Sequence, residues 1–297
     1  MKQFIKAVLG TPFITLLWNL LMVYICFMIC RIAFIWYNWD LYSGYLDTEL
    51  VLNMLKGSLR FDTAGIMYLS ILYIFLTLIP LHFKERKRYY QITRWILIVC
   101  CSIGIVMNLA DTVYYQFSGK RTTISLFTEF ANESNIAQII LKEVINSWYI
   151  TLLGIALIAF LIKFIRIPKT IVYNNLWHYY LIRPVSFLLM GTLSVAGMRG
   201  GFTSSHPITL SNANQYVNRP VEAVAVLNTP FCFVRTLDKK QMVTPHYYTE
   251  EELNERFSGV IMPHSNDVFR DKNVVVFILE SFGTEYIGAL NKDKPDF

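Results

Sequence analysis

The apolar residues of this chain fall into five long runs separated by polar loops. About 20 consecutive apolar residues cross the hydrocarbon core of a bilayer as a helix. The pattern therefore predicts five transmembrane helices, over Phe13–Trp36, Ala64–Phe83, Ile92–Val113, Trp148–Ile165 and Tyr179–Met198. Between the third and fourth runs, apolar residues recur at helical spacing. This stretch predicts an amphipathic helix that lies on the membrane surface or under a soluble domain.

After the fifth run the pattern becomes polar and is interrupted by glycine and proline. Arg219-Pro220 predicts a helix that extends to about Leu237 and that Pro230 must kink or end early. A capping box at Thr249-Glu-Glu-Glu252 predicts a second, short helix. We therefore expect a helical linker over residues 199–271, after a five-helix transmembrane domain in residues 1–198.

A short valine-rich run, Val274–Ile278, stands between charged residues and a polar turn that contains Glu280. Such a run predicts a buried strand of a parallel sheet, and ligands bind at the carboxyl ends of these strands. Glu280 is therefore a candidate metal ligand, with a solvated loop carboxylate as the alternative. One strand cannot bury itself, so we expect residues 272–297 to begin a truncated α/β domain.

Composition supports a membrane protein. The 297 residues are 54% hydrophobic and only 16% charged, and the mean hydropathy is +0.40, which is too apolar for an ordinary soluble domain. The net charge of +6 does not indicate nucleic acid as a partner, because the basic residues lie between the apolar runs. The five cysteines form neither a disulfide framework nor a CxxC metal motif.

The distribution of lysine and arginine predicts the orientation of the helices. Eleven basic residues lie at the N-terminus and in the loops His82–Arg94 and Lys163–Arg183, whereas five lie in the other two loops. The richer side is expected to be cytoplasmic. The chain is thus predicted to be a multi-pass protein of the cell membrane, with a cytoplasmic N-terminus and an extracytoplasmic C-terminus.

Polar residues cluster at the predicted outer ends of the spans. A charge at membrane depth is costly, so Asp111 is expected to have a partner, with Arg121 or Arg199 as the candidates. One interpretation is that these charges extend to water at the interface. The other is that Asp111, Arg121, Arg199 and Arg60 hold an anionic lipid headgroup, since arginine contacts phosphate in a bidentate manner.

Three segments carry a resemblance to a known family, namely Leu59–Asp62, Asp111–Thr123 and Asn273–Gly283. With the layout of the chain, they resemble the lipoteichoic acid synthase family of membrane phosphoglycerol transferases, within the sulfatase and alkaline phosphatase superfamily. The resemblance implies five spans, an extracytoplasmic linker and an α/β catalytic domain. Phosphoethanolamine transferases share this architecture, but Leu279-Glu280-Ser281-Phe282 is more similar to the phosphoglycerol transferases.

The resemblance also implies the chemistry. Glu280 would be one ligand of a divalent metal, Mn²⁺ with Mg²⁺ or Zn²⁺ as alternatives, and the lipid donor would be similar to phosphatidylglycerol. The threonine nucleophile is expected beyond Phe297, so no catalytic residue is assigned within the chain. We therefore expect 297 residues to be a piece of a longer enzyme, and this piece to be inactive alone.

Other functions remain open at this point. A phosphoethanolamine transferase-like enzyme fits the same layout, as does a non-catalytic membrane sensor or scaffold. A transporter is less consistent with the sequence, because an odd number of spans shows no inverted repeat and the spans contain few charges.

Overall fold

The computed structural model describes residues 12–79, 87–130, 135–168, 176–202, 206–238, 247–257, 273 and 275–278. Within these residues the chain is mostly helical and contains no strand. The chain forms two compact units, Met1–Gln241 and Met242–Phe297.

Helices make up most of the first unit. The membrane part contains α1 (Pro12–Tyr37), α2 (Thr48–Leu78), α3 (Lys87–Ser118), α4 (Leu126–Glu129), α5 (Ile136–Asn146), α6 (Trp148–Phe164) and α7 (Leu176–Arg199). A 3-10 turn, Trp39–Leu41, follows α1. The remainder of the unit contains a 3-10 helix (Leu210–Tyr216), α8 (Pro220–Val226) and α9 (Thr229–Thr236).

Helix α2 is central and packs against α1, α3 and α7, while α6 packs on α3. Their facing side chains form an apolar core, which includes Leu16, Val23, Ile66, Leu97, Ile105 and Leu161. Large apolar side chains also cover the outward faces, among them Ile32, Leu72, Val99 and Ile103. A helix that is apolar on all sides is typical of a membrane span.

Three helices, α1, α2 and α3, are long and apolar enough to cross a membrane. Residues 138–146 of α5 are inclined by 87° to the whole of α6. If these two helices together form one bent span, the number of candidate spans is four. The prediction of a helical membrane protein is therefore confirmed. Helix α7 covers the fifth predicted run, but five spans are not confirmed within the described residues. The predicted amphipathic helix is confirmed as α5.

The second helix begins much earlier than the predicted span, at Thr48 instead of Ala64. Asp47 caps it, since its carboxylate accepts a hydrogen bond from the Leu50 amide at 2.6 Å. The added turns contain Glu49, Lys56 and Arg60, which interrupt the apolar pattern. On one face of these turns, Leu50 and Met54 are buried.

At each end of the helix bundle, a different set of polar side chains connects neighbouring segments. At one end, Asn19 contacts the α6–α7 loop, accepting from the Arg166 amide at 2.8 Å, and Arg94 donates to the Ile165 carbonyl at 3.1 Å. At the other end, Asn38 donates to the Thr112 carbonyl at 3.1 Å. The second end carries residues 206–238 and is called the cap end below.

Residues 206–238, the cap, pack on the ends of α1, α2 and α3. Tyr42, Phe61 and Tyr115 join Val226 and Phe231 in a second buried core there. Residues 199–271 are predicted to be a linker, but the described first part of that range belongs to the same compact unit as the helix bundle. The single predicted helix is two helices, because Asn228 caps α9.

In the second unit, the predicted capping box is confirmed. Thr249 and Glu252 cap α10 (Glu250–Arg256) reciprocally. The described part of the predicted strand, Val275–Ile278, has no regular secondary structure. Its four side chains are 71–92% exposed. The physical reason is that a strand needs neighbouring strands, and the described residues provide none.

Candidate functional site

The predicted metal ligand, Glu280, lies outside the described residues, so its role stays a prediction. Within the described part of the chain, no three His, Cys, Asp or Glu side chains come together in a group that would hold a metal ion. The described residues therefore do not provide a metal site. The four predicted lipid-headgroup residues all lie in the described part, at the cap end.

Arg31, in α1, and Asp62, in α2, form a buried ion pair at the cap end. Arg31 also donates to the backbone carbonyls of Ala225 and Leu227, the latter at 3.1 Å. Asn228 donates to the Asp62 carboxylate at 3.0 Å. The pair thus joins two membrane helices to the cap.

A second ion pair lies on the neighbouring helix. Asp111, near the end of α3, pairs with Arg121 at 3.3 Å. Its carboxylate also accepts from the Thr122 amide at 3.1 Å and from the Thr229 hydroxyl at 2.7 Å. The expected partner of Asp111 is confirmed, and Arg121, not Arg199, is that partner.

Arg121 has two further contacts that hold it in place. Its Nε donates to the Val224 carbonyl in the cap at 2.9 Å. Its guanidinium also lies 3.7 Å from the centre of the Phe34 ring, which is a favourable cation–π distance. The protein itself therefore occupies one face and two nitrogens of this guanidinium.

Together these side chains form what we call the arginine–aspartate cluster, defined by Arg31, Asp62, Asp111, Arg121, Asn228 and Thr229. All six are buried, none more than 6% exposed. A cavity of about 10 Å³ lies between the two arginines, enough for about one water and too small for a headgroup. The two positive charges are matched by two carboxylates, which is how buried charges are tolerated.

Asp111 and Arg121, both predicted to contact a lipid headgroup, thus serve to join the cap to the bundle in this arrangement. The sequence interpretation missed Arg31 as a member of this cluster. An arginine within the first apolar run was the available signal, since a charge at membrane depth almost always has a partner. Asn228 and Thr229 were also missed, because nothing in their local sequence indicates a contact more than 100 residues away.

Arg60, in α2, lies outside this cluster on the wall of an open groove. The groove has a volume of about 280 Å³ and runs between α2 and α7. Arg60 donates through Nε to the Gly200 carbonyl at 2.6 Å and through Nη1 to the Tyr216 hydroxyl at 3.1 Å. Among the described residues it has no carboxylate partner.

The groove, called the Arg60 groove below, has a polar and an apolar part. Gly200, Gly201 and Arg60 lie at the end where α7 leaves the bundle, while Leu193 and Ala196 lie further along α7. Phe202, at the rim, is 70% exposed. Arg199, the fourth predicted headgroup residue, ends α7 and is half-buried. A cation beside an apolar surface suits a ligand with an anionic head and an apolar tail.

At the cap end, burial raises the pKa values of two groups that lie outside the membrane helices. Burial raises the pKa of Cys232 to about 12, so this thiol remains protonated and unreactive at neutral pH. Burial also raises the pKa of Tyr42, whose hydroxyl has no hydrogen-bond partner among the described atoms. Neither group has the lowered pKa that an activated nucleophile requires.

No protein-family model matches this chain, and no curated protein or solved structure is significantly similar to it.

Proposed function

We propose that this chain is the membrane part of a metal-dependent enzyme that transfers or hydrolyses phosphoglycerol, or a related phospho- or sulfo-ester, outside the cytoplasm. The chemistry comes from the resemblance of Asn273–Gly283 to the lipoteichoic acid synthase family. The structural observation that supports the proposal is the attachment of the cap to the helix bundle. Two buried ion pairs on three membrane helices hold the cap in place. The chain that follows the cap therefore starts from a fixed position at one end of the bundle.

Such an arrangement would serve an enzyme whose substrate is a membrane lipid. Holding the catalytic part beside the bilayer confines its search to a surface and raises the effective concentration of the lipid. The proposal includes five spans, with α7 as the fifth, and a cap end that faces the outside. The basic residues Arg94, Lys163 and Arg166 at the opposite end of the bundle support that orientation.

The metal of this proposal is a divalent cation, Mn²⁺ with Mg²⁺ or Zn²⁺ as alternatives. A carboxylate oxygen such as that of Glu280 is a suitable ligand for each of these cations. When bound, the cation would supply charge neutralisation at phosphate and activate a nucleophile. The lipid donor would resemble phosphatidylglycerol.

The orientation is tested first, with reporters. Alkaline phosphatase fused after Asp238 should be active, because it matures only outside the cytoplasm, and a fluorescent reporter there should be dark. A fusion after Ile167, at the opposite end of the bundle, is the matched control and should behave in the reverse way. Activity of the phosphatase at Ile167 and not at Asp238 would refute the proposal.

The chemistry is tested in the complete protein that carries this chain. Reconstituted in vesicles with Mn²⁺, it should turn over phosphatidylglycerol, and Glu280→Gln should lose both activity and Mn²⁺ binding. Glu255→Gln, on the exposed side of α10, is the matched control and should change neither.

The same assay separates the alternatives. Turnover of phosphatidylethanolamine in place of phosphatidylglycerol would favour the phosphoethanolamine transferase-like enzyme. An unchanged activity in Glu280→Gln would remove the metal assignment. No turnover of any lipid would favour the sensor or scaffold.

A further inference from the structure

We infer that the Arg60 groove binds an anionic phospholipid, with the phosphate on the Arg60 guanidinium and an acyl chain along α7. The inference does not depend on turnover, and shares with the proposed function only the placement of the helices in a bilayer. It concerns a resident lipid between two helices, whether or not that lipid is ever a substrate.

The depth of Arg60 is the first argument. Arg60 lies 18 positions before Leu78, the end of α2, which is about 27 Å along the helix axis. The hydrocarbon core of a bilayer is about 30 Å thick. If Leu78 lies near one boundary of the core, Arg60 lies near the other, where the lipid phosphates are.

The geometry of the guanidinium is the second argument. The Gly200 carbonyl and the Tyr216 hydroxyl accept from Nε and Nη1, so the side chain is held with little freedom left. The Nη2 group has no hydrogen bond to the described residues, and the Arg60 side chain is part of the groove lining. A guanidinium that is already oriented loses little entropy when an oxyanion binds.

The charge balance is the third argument. Arg31 and Arg121, the two arginines of the arginine–aspartate cluster, are each neutralised by an aspartate. The Arg60 side chain is half-exposed, and no carboxylate among the described residues compensates its positive charge. A cation near the bilayer boundary attracts the phosphate of an anionic lipid.

The shape of the groove is the fourth argument. Gly197 lets α7 approach α2 closely, because an added Cβ would lie 3.0 Å from side-chain atoms of Thr63 and Met67. Leu193 is 41% exposed on the same helix and presents an apolar surface. A volume of about 280 Å³ accommodates a headgroup with the first part of an acyl chain.

The test measures binding of phosphatidylglycerol to the purified chain in uncharged detergent micelles by native mass spectrometry. We expect one molecule to bind about tenfold more tightly than phosphatidylcholine. Both lipids carry a phosphate, but the choline cation of phosphatidylcholine cancels its charge and is repelled by the guanidinium. Arg60→Gln should remove that preference, and Arg60→Lys should keep part of it.

Arg94→Gln is the matched control. Arg94 is also half-buried and also donates to backbone carbonyls, but it lies at the opposite end of the bundle. Its substitution should leave the preference unchanged. An Arg60→Gln protein that binds phosphatidylglycerol like the wild type would overturn the inference.

Two further measurements keep the result decisive. Free glycerol 3-phosphate that binds as tightly as the lipid would show a soluble anion as the occupant and would overturn the lipid assignment. If Arg60→Gln does not fold, Leu193→Trp decides, because it fills the groove and leaves Arg60 intact. Loss of the preference in Leu193→Trp supports the inference, and its retention overturns the inference.

The outcome is distinguishable from that of the proposed function. Arg60-dependent binding without any turnover would leave the inference standing and remove the enzyme. Turnover that does not respond to Arg60, with equal binding of both lipids, would do the reverse.

Discussion

The arginine–aspartate cluster and the Arg60 groove lie at the same end of the bundle but balance their charges in different ways. In the cluster, Arg31 and Arg121 each face a carboxylate and are buried. In the groove, Arg60 contacts only a carbonyl and a phenol and stays half-exposed. An arginine whose charge is matched inside the protein has a structural role, whereas an unmatched one at headgroup depth is available to a ligand.

The difference also concerns what each region contacts. The cluster joins segments far apart in the chain, since Arg31 reaches Leu227 and Asp111 reaches Thr229. The groove is bounded by α2 and the end of α7, and opens outward. Substitutions in the cluster should therefore affect the stability of the whole cap, whereas those in the groove should affect binding.

The largest effect is expected for Asp62→Ala. It leaves the buried Arg31 without its counter-charge, which typically costs about 3–5 kcal/mol. The free energy of unfolding in mixed detergent micelles measures it, with the exposed Asp40→Ala as control. A double variant, Arg31→Met with Asp62→Leu, should recover much of the loss, because replacing both partners removes the uncompensated charge. A loss below about 1 kcal/mol in Asp62→Ala would show that the pair does not hold the cap.

A smaller loss, about 1–3 kcal/mol, is expected for Gly65→Ala. An added Cβ would lie 2.5 Å from the Asn228 Oδ1 atom, and so would displace the side chain that caps α9 and donates to Asp62. The control is Gly191→Ala in α7, where an added Cβ meets nothing within 4 Å. That substitution should be neutral or stabilising by up to about 1 kcal/mol. Equal effects of the two would contradict the close packing of the cap on α2.

For Arg60→Gln we expect a loss of about 1–2 kcal/mol, from two hydrogen bonds of a half-exposed cation. This is less than for Asp62→Ala, because no buried charge is left without a partner. The unfolding measurement is the same as for Asp62. A loss of unfolding free energy as large as that of Asp62→Ala would show that Arg60 has a structural role like Arg31 and Arg121. It would contradict the difference between the two regions.

The smallest change is chemical and concerns thiol accessibility. In a variant whose only thiol is Cys232, alkylation at pH 8 should be slow until the protein is unfolded, because burial holds its pKa at about 12. In a variant whose only thiol is introduced by Phe202→Cys, at the rim of the groove, alkylation should be fast in the folded protein. Rapid alkylation of Cys232 would show that the cap opens readily.

Much of the fold follows from local pattern. Among the described residues, each of the five predicted runs is helical over most of its length, and the capping box at Thr249 and the amphipathic helix α5 are both present. The first half of α2 was missed, because charged residues such as Glu49, Lys56 and Arg60 interrupt its apolar pattern. The strand at Val274–Ile278 was predicted from the same kind of pattern, but its described part, residues 275–278, has no regular secondary structure. Strands depend on partners and helices do not.

The candidate site was predictable only in part. The sequence identified Asp111 as a charge that needs a partner at membrane depth, with Arg121 or Arg199 as the candidates. It could not separate Arg121 from Arg60, since both lie beside polar loops at the predicted outer ends of spans. The separation depends on Val224 and Asp111 surrounding one guanidinium and a groove opening beside the other.

The sequence by itself determined that this protein is a bundle of apolar helices, because hydrophobic length and periodicity act within a single segment. The tertiary structure alone decided that the segment after the bundle folds back as a cap and which arginines it neutralises. Those choices depend on contacts such as Arg31 with the Leu227 carbonyl. Such contacts join residues almost 200 positions apart, and no local pattern encodes them.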